Sequence, residues 1–355
     1  MVRGLLRGLV AEAANGDVFP LLVPADGAAV PDEVAGQKAF PVVAVPRRPG
    51  PVHFGVELAR AVARLGCRPD LVFSVTHGPA RSPVPSVLMV TDLSFWRHPE
   101  LYPRPTRARL NILVRHQARG AALVTTISDF CRGELVEAYG LDESRAAVVP
   151  LVVDDPAPFD DDARREGEAW LEGRGVRRPF VLYLGNLHPR KNVGRLIQAF
   201  RRARDSGELA GHQLVLAGGQ WWSGGNESEE AARAGPGAVV VLGRVTDRRR
   251  EQLLRIASAL AYVSVYEGFG LPPLEAMARG TPVLAARAGA LPETLGDAAV
   301  LVDPLDVDAI AGGLVDVATD TGLRQRLVER GLAQSGRFDV HRTGRALLDA
   351  LRGAS

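Results

Sequence analysis

The sequence predicts a doubly wound α/β fold in two domains. Short, unbroken apolar runs recur along the whole chain, separated mostly by helix-like segments, and they lack the alternation of a half-exposed strand. That pattern is typical of parallel strands buried on both faces of a sheet. The 355 residues are enough for two domains, and 46% hydrophobic with 24% charged residues is a globular composition, which excludes disorder, collagen-like repeats and a disulfide scaffold.

The apolar runs form two series on either side of a polar, acidic segment. This segment spans residues 154–175, contains Pro156 and Pro158, and is typical of a linker that runs into a helix. The predicted strands are 40–45, 71–75, 87–90, 122–127 and 148–153 before it, and 180–184, 214–217, 239–242, 260–265, 282–286 and 299–302 after it. We therefore predict an N-terminal domain over 1–155, a C-terminal domain over 156–335, and a helix over 336–355 that crosses back toward the first domain. A ligand is expected in the cleft at the carboxyl ends of the strands.

The net charge and the cysteine positions argue against several classes of function. Lysine and arginine total 43 against 41 acidic residues, so the net charge of +2 gives no signal for a nucleic-acid partner. Cys67 and Cys131 form no CxxC or Cys/His pattern, which argues against a zinc site and for a reducing, cytoplasmic compartment. Arginines interrupt the apolar residues near the N-terminus, so we predict an amphipathic helix over 2–14 and no signal peptide. No apolar stretch approaches the ~18 residues of a membrane span.

One strand–loop–helix segment carries the most specific motif. Glu267 and Glu275 frame the sequence EGFGLPPLE, which follows an apolar run. Pro272 and Pro273 fit the first turn of a helix, and Gly280 fits its end. The free N–H groups of such a helix N-terminus attract phosphate or sugar hydroxyls, and the two carboxylates can accept hydrogen bonds from a ligand rich in hydroxyls. The alternative is structural: Glu275 complements the helix dipole and the glycines turn the chain.

A second glycine turn, GNLHPRKN, runs from Gly185 to Asn192 and also connects an apolar run to a predicted helix. Arg190 and Lys191 lie at the N-terminus of that helix, where two cations oppose the helix dipole unless an anion lies between them and the helix. A diphosphate would supply that charge. The alternative is a solvated turn, although Lys191 is one of only two lysines in the chain.

Together these segments resemble the donor domain of retaining glycosyltransferases of family 4, which have the GT-B fold of two Rossmann-like domains facing each other across a cleft. The family signatures are a Glu-x7-Glu element, matched by Glu267 and Glu275, and a Gly…Arg-Lys-Asn element, matched by Gly185 and residues 190–192. Other segments that resemble the family are LGRV at 242–245, GALPE at 289–293, TDLSF at 91–95 and TISDF at 126–130. The combination of these elements in this order is far more specific than Glu-x7-Glu alone.

The resemblance implies a role for each matching residue. Arg190 and Lys191 would neutralise a nucleoside diphosphate as its charge grows in the transition state, and Glu267 would hold the donor sugar, so these three are the predicted catalytic residues. Glu275 would accept hydrogen bonds from the ribose, and the nucleobase would lie near Arg244. The predicted donor-binding residues are Gly185, Asn192, Arg244, Val245, Gly268, Phe269, Gly270, Leu271 and Glu275. The resemblance implies a UDP- or GDP-hexose as co-substrate and a hydroxyl acceptor. We expect neither a cofactor nor a metal ion.

Asp92, His98 and Ser128 are the acceptor-side candidates, because they lie in or beside first-half segments that resemble the family. His98 could contact the donor sugar or the acceptor, or it could lie in a solvated surface loop. The chain departs from the family at its start, where a helix is predicted in place of the usual first strand and glycine-rich loop. Either the acceptor side is remodelled or the start was misassigned.

A basic segment lies between Arg97 and Arg119, with six arginines and a single acid, Glu100. Four apolar residues in it recur at helical spacing: Leu110, Leu113, Val114 and Ala118. Such a helix could rest on an anionic membrane surface or bind a phosphorylated acceptor. The alternative is a helix that packs on its own sheet and keeps its arginines in water.

Two other functions fit the same residues. A GT-B-fold sugar-nucleotide epimerase would convert the donor without an acceptor, and a non-catalytic partner subunit would bind a nucleotide sugar without transferring it.

Asp306 and Asp308 resemble the Asp-x-Asp metal motif of another glycosyltransferase fold, but they precede a helical pattern, so we predict helix capping. No mechanism is assigned to the aromatic loop at Trp221 and Trp222.

Overall fold

The computed structural model describes residues 1–25, 30–46, 57–63, 65, 68–78, 82–219, 230–231 and 233–354. Contacts divide the chain into two compact units. The first unit comprises Met1–Val152 and Phe338–Ser355, and the second unit comprises Val153–Arg337. The chain therefore passes from one unit to the other twice. Cys67, Trp221 and Trp222 lie outside the described residues.

The regular elements alternate along the chain as a doubly wound fold requires. The strands are β1 (Leu21–Pro24), β2 (Val42–Val45), β3 (Val72–Val75), β4 (Ser86–Met89), β5 (Leu123–Thr126), β6 (Ala146–Val148), β7 (Phe180–Leu184), β8 (Gln213–Ala217), β9 (Val239–Gly243), β10 (Ala259–Tyr262), β11 (Val283–Ala286) and β12 (Val300–Val302). The helices are α1 (Val2–Glu12), α2 (Leu58–Ala63), α3 (Ser94–Arg97), α4 (Arg104–Gly120), α5 (Asp129–Tyr139), α6 (Asp161–Glu172), α7 (Val193–Asp205), α8 (Asp247–Ile256), α9 (Leu271–Ala278), α10 (Leu291–Leu295), α11 (Val307–Thr319), α12 (Thr321–Ser335) and α13 (Val340–Arg352). Every described strand pair is parallel, which confirms the α/β class.

The first unit pairs β1 with β2 and arranges β3, β4, β5 and β6 in that order in a second sheet. Strand β1 is not among the predicted strands: its apolar residues 21–23 lie between Pro20 and Pro24, and a proline donates no ladder hydrogen bond. The predicted strand 148–153 is wrong in position, since β6 ends at Val148. Beyond it, Thr343 of α13 donates to the Pro150 carbonyl oxygen at 2.9 Å.

Helices α1 and α13 pack at close range within the first unit. Gly8 of α1 faces Gly344 of α13, and a Cβ added to Gly8 would lie 2.9 Å from the Gly344 Cα. Beside this contact, Glu12 accepts from the His341 Nδ1 at 2.7 Å. Because both glycines lack a side chain, the two helix backbones can approach each other closely, which fixes the C-terminal helix on the N-terminal one.

We expect Gly344→Ala to lower the melting temperature, because its new Cβ would overlap the Gly8 carbonyl oxygen. Overpacking of this kind costs about 1–3 kcal/mol. Gly133→Ala is the matched control, since Gly133 is also helical and a Cβ there meets open space. It should leave stability unchanged or raise it by up to about 1 kcal/mol. Equal melting temperatures for the two variants would show that the glycine contact is not needed.

The second unit contains a six-stranded parallel sheet in the order β12-β11-β10-β7-β8-β9. From β7 the chain winds outward through β8 and β9, then returns to the other side of β7 and winds outward through β10, β11 and β12. The winding direction therefore reverses between β7 and β10, which lie side by side with Leu182 opposite Leu260. In doubly wound sheets, ligands bind at the carboxyl ends of the two strands that flank such a reversal.

Several helices of the second unit are capped by aspartates, among them Asp160 and Asp306. Asp160 accepts from the Ala163 N–H at 2.8 Å and begins α6, which confirms that the polar linker runs into a helix. Asp306 accepts from the backbone N–H groups of Asp308 and Ala309 at 2.9 and 3.0 Å and begins α11. The capping interpretation of this Asp-x-Asp segment is therefore confirmed.

Candidate active site

The two predicted motifs follow β7 and β10, the strands on either side of the reversal in the second unit. Gly185 comes directly after β7 with φ +157°, and Gly218 comes directly after β8 with φ +154°. A Cβ on Gly218 would overlap the Gly185 carbonyl oxygen, so only glycine permits this close approach of the two loops. The turn from Gly185 to Asn192 thus lies at the sheet edge where the topology places a ligand.

Several hydrogen bonds fix the turn that carries Arg190 and Lys191. The His188 side chain accepts from the Arg190 N–H at 3.1 Å and begins a 3₁₀ turn over Pro189–Lys191. Asn192 follows in the left-handed region with φ 59°. Its side-chain nitrogen donates to the Val263 and Pro304 carbonyl oxygens at 3.0 and 2.6 Å. The amide of Asn192 thereby anchors the turn, and its predicted contact with a donor stays a prediction.

Arg190, Lys191 and Glu267 form one charged cluster at the reversal. The Lys191 Nζ contacts the Glu267 Oε1 and donates to the Tyr262 hydroxyl at 2.6 Å. The Arg190 guanidinium lies 3.3 Å from the Glu267 Oε2 and donates to the Tyr266 carbonyl oxygen at 3.2 Å. The three charged side chains carry one net positive charge between them. The structure therefore brings together all three predicted catalytic residues.

Burial and charge act in opposite directions on the groups of this cluster. Burial favours the neutral form of Glu267, but the positive charges of Lys191 and Arg190 outweigh it and lower the pKa of the carboxyl below its usual range. Burial and the nearby Glu267 charge both raise the pKa of Tyr262. Glu267 is therefore a carboxylate and Tyr262 a neutral phenol, and both orient the ammonium of Lys191.

The chain after β10 forms a hydrogen bond with the turn from Gly185 to Asn192. The predicted strand 260–265 is too long, since β10 ends at Tyr262. Beyond that point the Val265 N–H donates to the Arg190 carbonyl oxygen at 2.9 Å instead of continuing the ladder with β7. The backbone before Glu267 is thus held by the turn that carries Arg190 and Lys191, so the two motifs form one unit.

Residues in and beside α10 form hydrogen bonds with the glycine loop that follows Glu267. The Ala290 N–H donates to the Glu267 carbonyl oxygen at 2.8 Å, and the Thr294 hydroxyl donates to the Phe269 carbonyl oxygen at 2.7 Å. A Cβ on Gly289 would lie 2.7 Å from the Glu267 nitrogen, so this glycine allows the close contact. The GALPE resemblance pointed to this segment, but nothing in the sequence pointed to Thr294.

The glycine loop leads into α9 as the sequence predicts. Gly270 adopts φ +103°, and the helix begins at the next residue with Pro272 and Pro273 in its first turn. Gly280 follows the end of the helix with φ +70°. The loop from Gly268 to Leu271 is therefore a rigid turn at a helix N-terminus, which is suited to anions and hydroxyls.

Glu275 lies on α9 with its side chain 10% exposed. Its Oε1 accepts from an Arg250 N–H of α8 at 2.7 Å. Burial raises the pKa of Glu275, while the charges of Arg250 and Arg279 act in the opposite direction. Sequence analysis did not find Arg250, because Arg250 lies 25 positions from Glu275 and belongs to no motif.

The remaining predicted donor residues lie after β9 in the same sheet. Arg244 is exposed and Val245 half-buried. The Arg244 side chain covers Gly219 in the loop after β8, where a Cβ would lie 2.7 Å from the Arg244 Nε. Arg244 thus lies at the same carboxyl edge of the sheet as Gly185, and its contact with a nucleobase stays a prediction.

The acceptor-side candidates belong to the first unit and have different partners. Asp92 follows β4 and accepts from the Ser94 hydroxyl at 2.5 Å. Ser128 follows β5, is buried, and accepts from the Cys131 N–H at 3.2 Å as the cap of α5. His98 lies 3.1 Å from a Glu100 carboxylate oxygen. Asp92 and Ser128 lie at the carboxyl ends of adjacent strands, and the role of all three residues stays a prediction.

The basic segment forms α4, and its apolar side packs on its own unit. Val114 and Ala118 are buried in a core with Val124 and Leu135, and Leu110 packs against that core. This apolar stripe therefore belongs to the fold and does not face a membrane. The opposite side is exposed and contains Arg104, Arg109, Ile112, Arg115, His116 and Arg119.

In the part of the chain that the structure describes, no three His, Cys, Asp or Glu side chains are grouped so that they could hold a metal ion. Likewise, none of the helices over the described ranges combines the length and apolarity that crossing a bilayer requires.

Two family models match the sequence and together span most of it. The model described as "Glycosyltransferase Family 4" matches residues 1–155, and the model described as "Glycosyl transferases group 1" matches residues 168–334. Among curated proteins, the O-antigen chain mannosyltransferase B of Escherichia coli is 31% identical over 254 residues. That match covers 70% of this chain and 65% of the relative, so the chain spans less than two thirds of that relative's length.

Solved structures show the fold. HepE from Anabaena, in complex with UDP and glucose, has a TM-score of 0.68 at 22% identity and covers 89% of this chain and 87% of its own. Sucrose-phosphate synthase from Thermosynechococcus elongatus has a TM-score of 0.73 at 18% identity and covers 99% of this chain and 92% of its own. These likenesses confirm the predicted GT-B fold class.

Proposed function

Since the chain belongs to glycosyltransferase family 4, we propose that it moves a hexosyl group from a nucleoside diphosphate sugar to a hydroxyl acceptor with retention of configuration. The observation that carries the proposal is the cluster of Arg190, Lys191 and Glu267 at the reversal of the sheet. Two cations held in place by one carboxylate are suited to a diphosphate, whose charge exceeds that of the carboxylate.

In the proposed reaction, the bond between the sugar C1 and the β-phosphate oxygen breaks, and negative charge grows on that oxygen. Arg190 and Lys191 stabilise this charge, because Glu267 and Tyr262 already hold the ammonium in position. The acceptor hydroxyl forms the new bond to C1 on the face that the phosphate leaves, and its proton passes to the departing phosphate oxygen. No nucleophilic carboxylate is then needed.

The other predicted residues would bind the donor. Glu267 and the Gly268 to Leu271 backbone would hold the sugar, Glu275 would accept from the ribose hydroxyls, and Arg244 with Val245 would lie near the base. We propose a mannosyl or glucosyl group on UDP or GDP, in line with the mannosyltransferase relative and with the UDP and glucose bound in HepE. We place the reaction in the synthesis of a glycan, a glycolipid or a glycosylated metabolite, in the cytoplasm or at the cytoplasmic side of a membrane.

Product analysis separates this proposal from its alternatives. The purified chain is incubated with UDP- and GDP-hexoses, with and without a panel of hydroxyl acceptors. A new glycoside that forms only with acceptor, with the anomeric configuration of the donor, supports a retaining transferase. An epimerised donor without acceptor would indicate the epimerase. Donor binding with neither transfer nor slow hydrolysis would indicate the non-catalytic partner.

We propose that the exposed side of α4 contacts an anionic membrane surface. This side contains four exposed arginines, the sequence of α4 contains no acidic residue, and Ile112 at its centre is 73% exposed. Arginines attract anionic headgroups, and an exposed apolar side chain can enter the interface.

Charge reversal on α4 should weaken vesicle binding. We expect Arg109→Glu combined with Arg115→Glu to lower the affinity for phosphatidylglycerol-containing vesicles by more than about tenfold, since each arginine near such a surface contributes about 1 kcal/mol. Arg326→Glu combined with Arg330→Glu on α12 is the matched control and should bind as the unaltered chain does. Equal affinities in a co-sedimentation assay for all three proteins would contradict the membrane proposal.

A further inference from the structure

Two ion pairs join α8 to α9 beside the candidate active site. An Arg250 N–H donates to the Glu275 Oε1 at 2.7 Å, and the Arg279 Nε donates to the Glu251 Oε2 at 2.6 Å. The Arg250 side chain is 30% exposed, whereas that of Glu275 is 10% exposed. The first pair thus places a partly accessible guanidinium on a nearly buried carboxylate.

The charges that face Glu275 come from three elements. Arg250 approaches from α8, Arg279 directly follows the end of α9, and Asp154 lies in the linker. The Arg279 guanidinium binds Glu251 and donates to the Glu275 carbonyl oxygen at 3.0 Å, not to the carboxylate. Arg250 is therefore the cation that bonds the carboxylate directly.

We propose that Arg250 is a positioning residue of the donor site: it binds one carboxylate oxygen of Glu275 and so directs the other oxygen toward the ribose hydroxyls of the donor. The inference rests on the proposed function, in which Glu275 contacts the ribose. It goes beyond that function, because neither the sequence motifs nor the family resemblance points to Arg250.

The ion pair has two physical consequences for ribose binding. A carboxylate held at one oxygen keeps one orientation, so its free oxygen loses little entropy when it accepts a hydroxyl proton. The guanidinium also favours the ionised form of Glu275, which accepts hydrogen bonds at both oxygens, against the effect of burial. Ribose affinity should be full above the pKa of Glu275 and fall as the pH drops through it, so loss of Arg250 moves this fall to higher pH.

The test compares three variants in nucleotide binding. Arg250→Gln removes the charge, Arg250→Lys keeps it without the planar fork, and Arg248→Gln is the matched control, because Arg248 lies on the same helix and pairs with Glu166 instead. Affinities for UDP, GDP and their 2′-deoxy forms are measured by calorimetry between about pH 5 and 8.

We expect Arg250→Gln to bind the preferred diphosphate about tenfold more weakly at neutral pH, with its pH midpoint moved to higher pH. Arg250→Lys should bind weakly but keep the midpoint of the unaltered chain. The 2′-deoxy form should lose affinity in the unaltered chain and lose less in Arg250→Gln. Arg248→Gln should match the unaltered chain throughout.

Three results would overturn the inference. If Arg250→Gln matches Arg248→Gln while Glu275→Gln binds weakly, Arg250 plays no part and the proposed function stands. If Arg250→Gln and Arg250→Lys both melt lower and lose affinity equally without a change of midpoint, the ion pair is only structural. If Glu275→Gln binds as tightly as the unaltered chain, or the unaltered chain binds neither diphosphate, the ribose contact fails and the inference fails with it.

Discussion

Lys191→Ala should lower kcat/KM for glycosyl transfer by about 10²–10³, the loss typical when one group that stabilises developing charge is removed. The Lys191 ammonium is nearly buried, donates to Tyr262 at 2.6 Å and contacts Glu267, so it is held in place before any donor arrives. Water cannot replace a preorganised cation at no cost, because water must reorient as the charge develops. The variant should still fold, since Arg190 continues to pair with Glu267.

The chain offers a matched control for this experiment. Lys38 is the other of its two lysines and is exposed, so Lys38→Ala should leave kcat/KM unchanged. Initial rates at subsaturating donor, with melting temperatures to verify folding, give the comparison. Undiminished transfer by a folded Lys191→Ala enzyme would rule out the role proposed for this residue.

Gly218→Ala should destabilise the protein more than Gly344→Ala. The new Cβ would overlap the Gly185 carbonyl oxygen, which is backbone and cannot rotate away, and Gly218 has φ +154°, which a side chain disfavours. The loops after β7 and β8 would have to separate, which displaces the turn that carries Arg190 and Lys191. We expect a stability loss of about 3 kcal/mol or more and an affinity for nucleoside diphosphates at least tenfold lower.

Gly211→Ala is the control for this change. A Cβ on Gly211 meets nothing within 4 Å, so the same added methyl group should leave melting temperature and nucleotide affinity within error of the unaltered chain. Thermal unfolding with and without UDP or GDP measures both quantities. A Gly218→Ala variant that binds these nucleotides normally would show that the close approach of the two loops does not shape the site.

Local sequence signals predicted the elements that carry the site. Pro272 and Pro273 at a helix start, and Gly280 after its end, are each specified by backbone chemistry within a few residues. The apolar runs predicted β7 with both of its ends, because this strand is buried on both faces and bounded by Pro179 and Gly185. Where the structure depends on such short-range effects, the sequence was sufficient.

Predictions failed where distant parts of the chain decide the outcome. The run 260–265 is apolar to its end, yet its ladder stops at Tyr262, because Val265 finds Arg190 in place of another strand residue. Similarly, the run 148–153 leaves the sheet after Val149, and the Pro150 carbonyl oxygen accepts from Thr343 of α13 in place of a strand residue. Burial alone does not reveal which partner satisfies the backbone.

The sequence did not predict the hydrogen-bond partners of the site residues either. Arg250, Tyr262 and Thr294 each bind a motif residue through a contact between separate elements. Arginine and threonine are frequent at protein surfaces, and neither lies in a motif, so no local signal distinguished them. The structure shows that the two motifs depend on these contacts for their geometry.

The central claim is that the cluster of Arg190, Lys191 and Glu267 binds a nucleoside diphosphate, and one measurement tests it most directly. Melting temperatures of the unaltered chain and of Lys191→Ala are recorded with UDP, GDP, ADP and TDP. At about 100 times the dissociation constant, a ligand stabilises the native state by about 2.7 kcal/mol, which raises the melting temperature by about 5–10 °C. We predict such a rise with one diphosphate, UDP or GDP, and its loss in Lys191→Ala. A rise of the same size in both proteins, or none with any of the four nucleotides, would contradict the account.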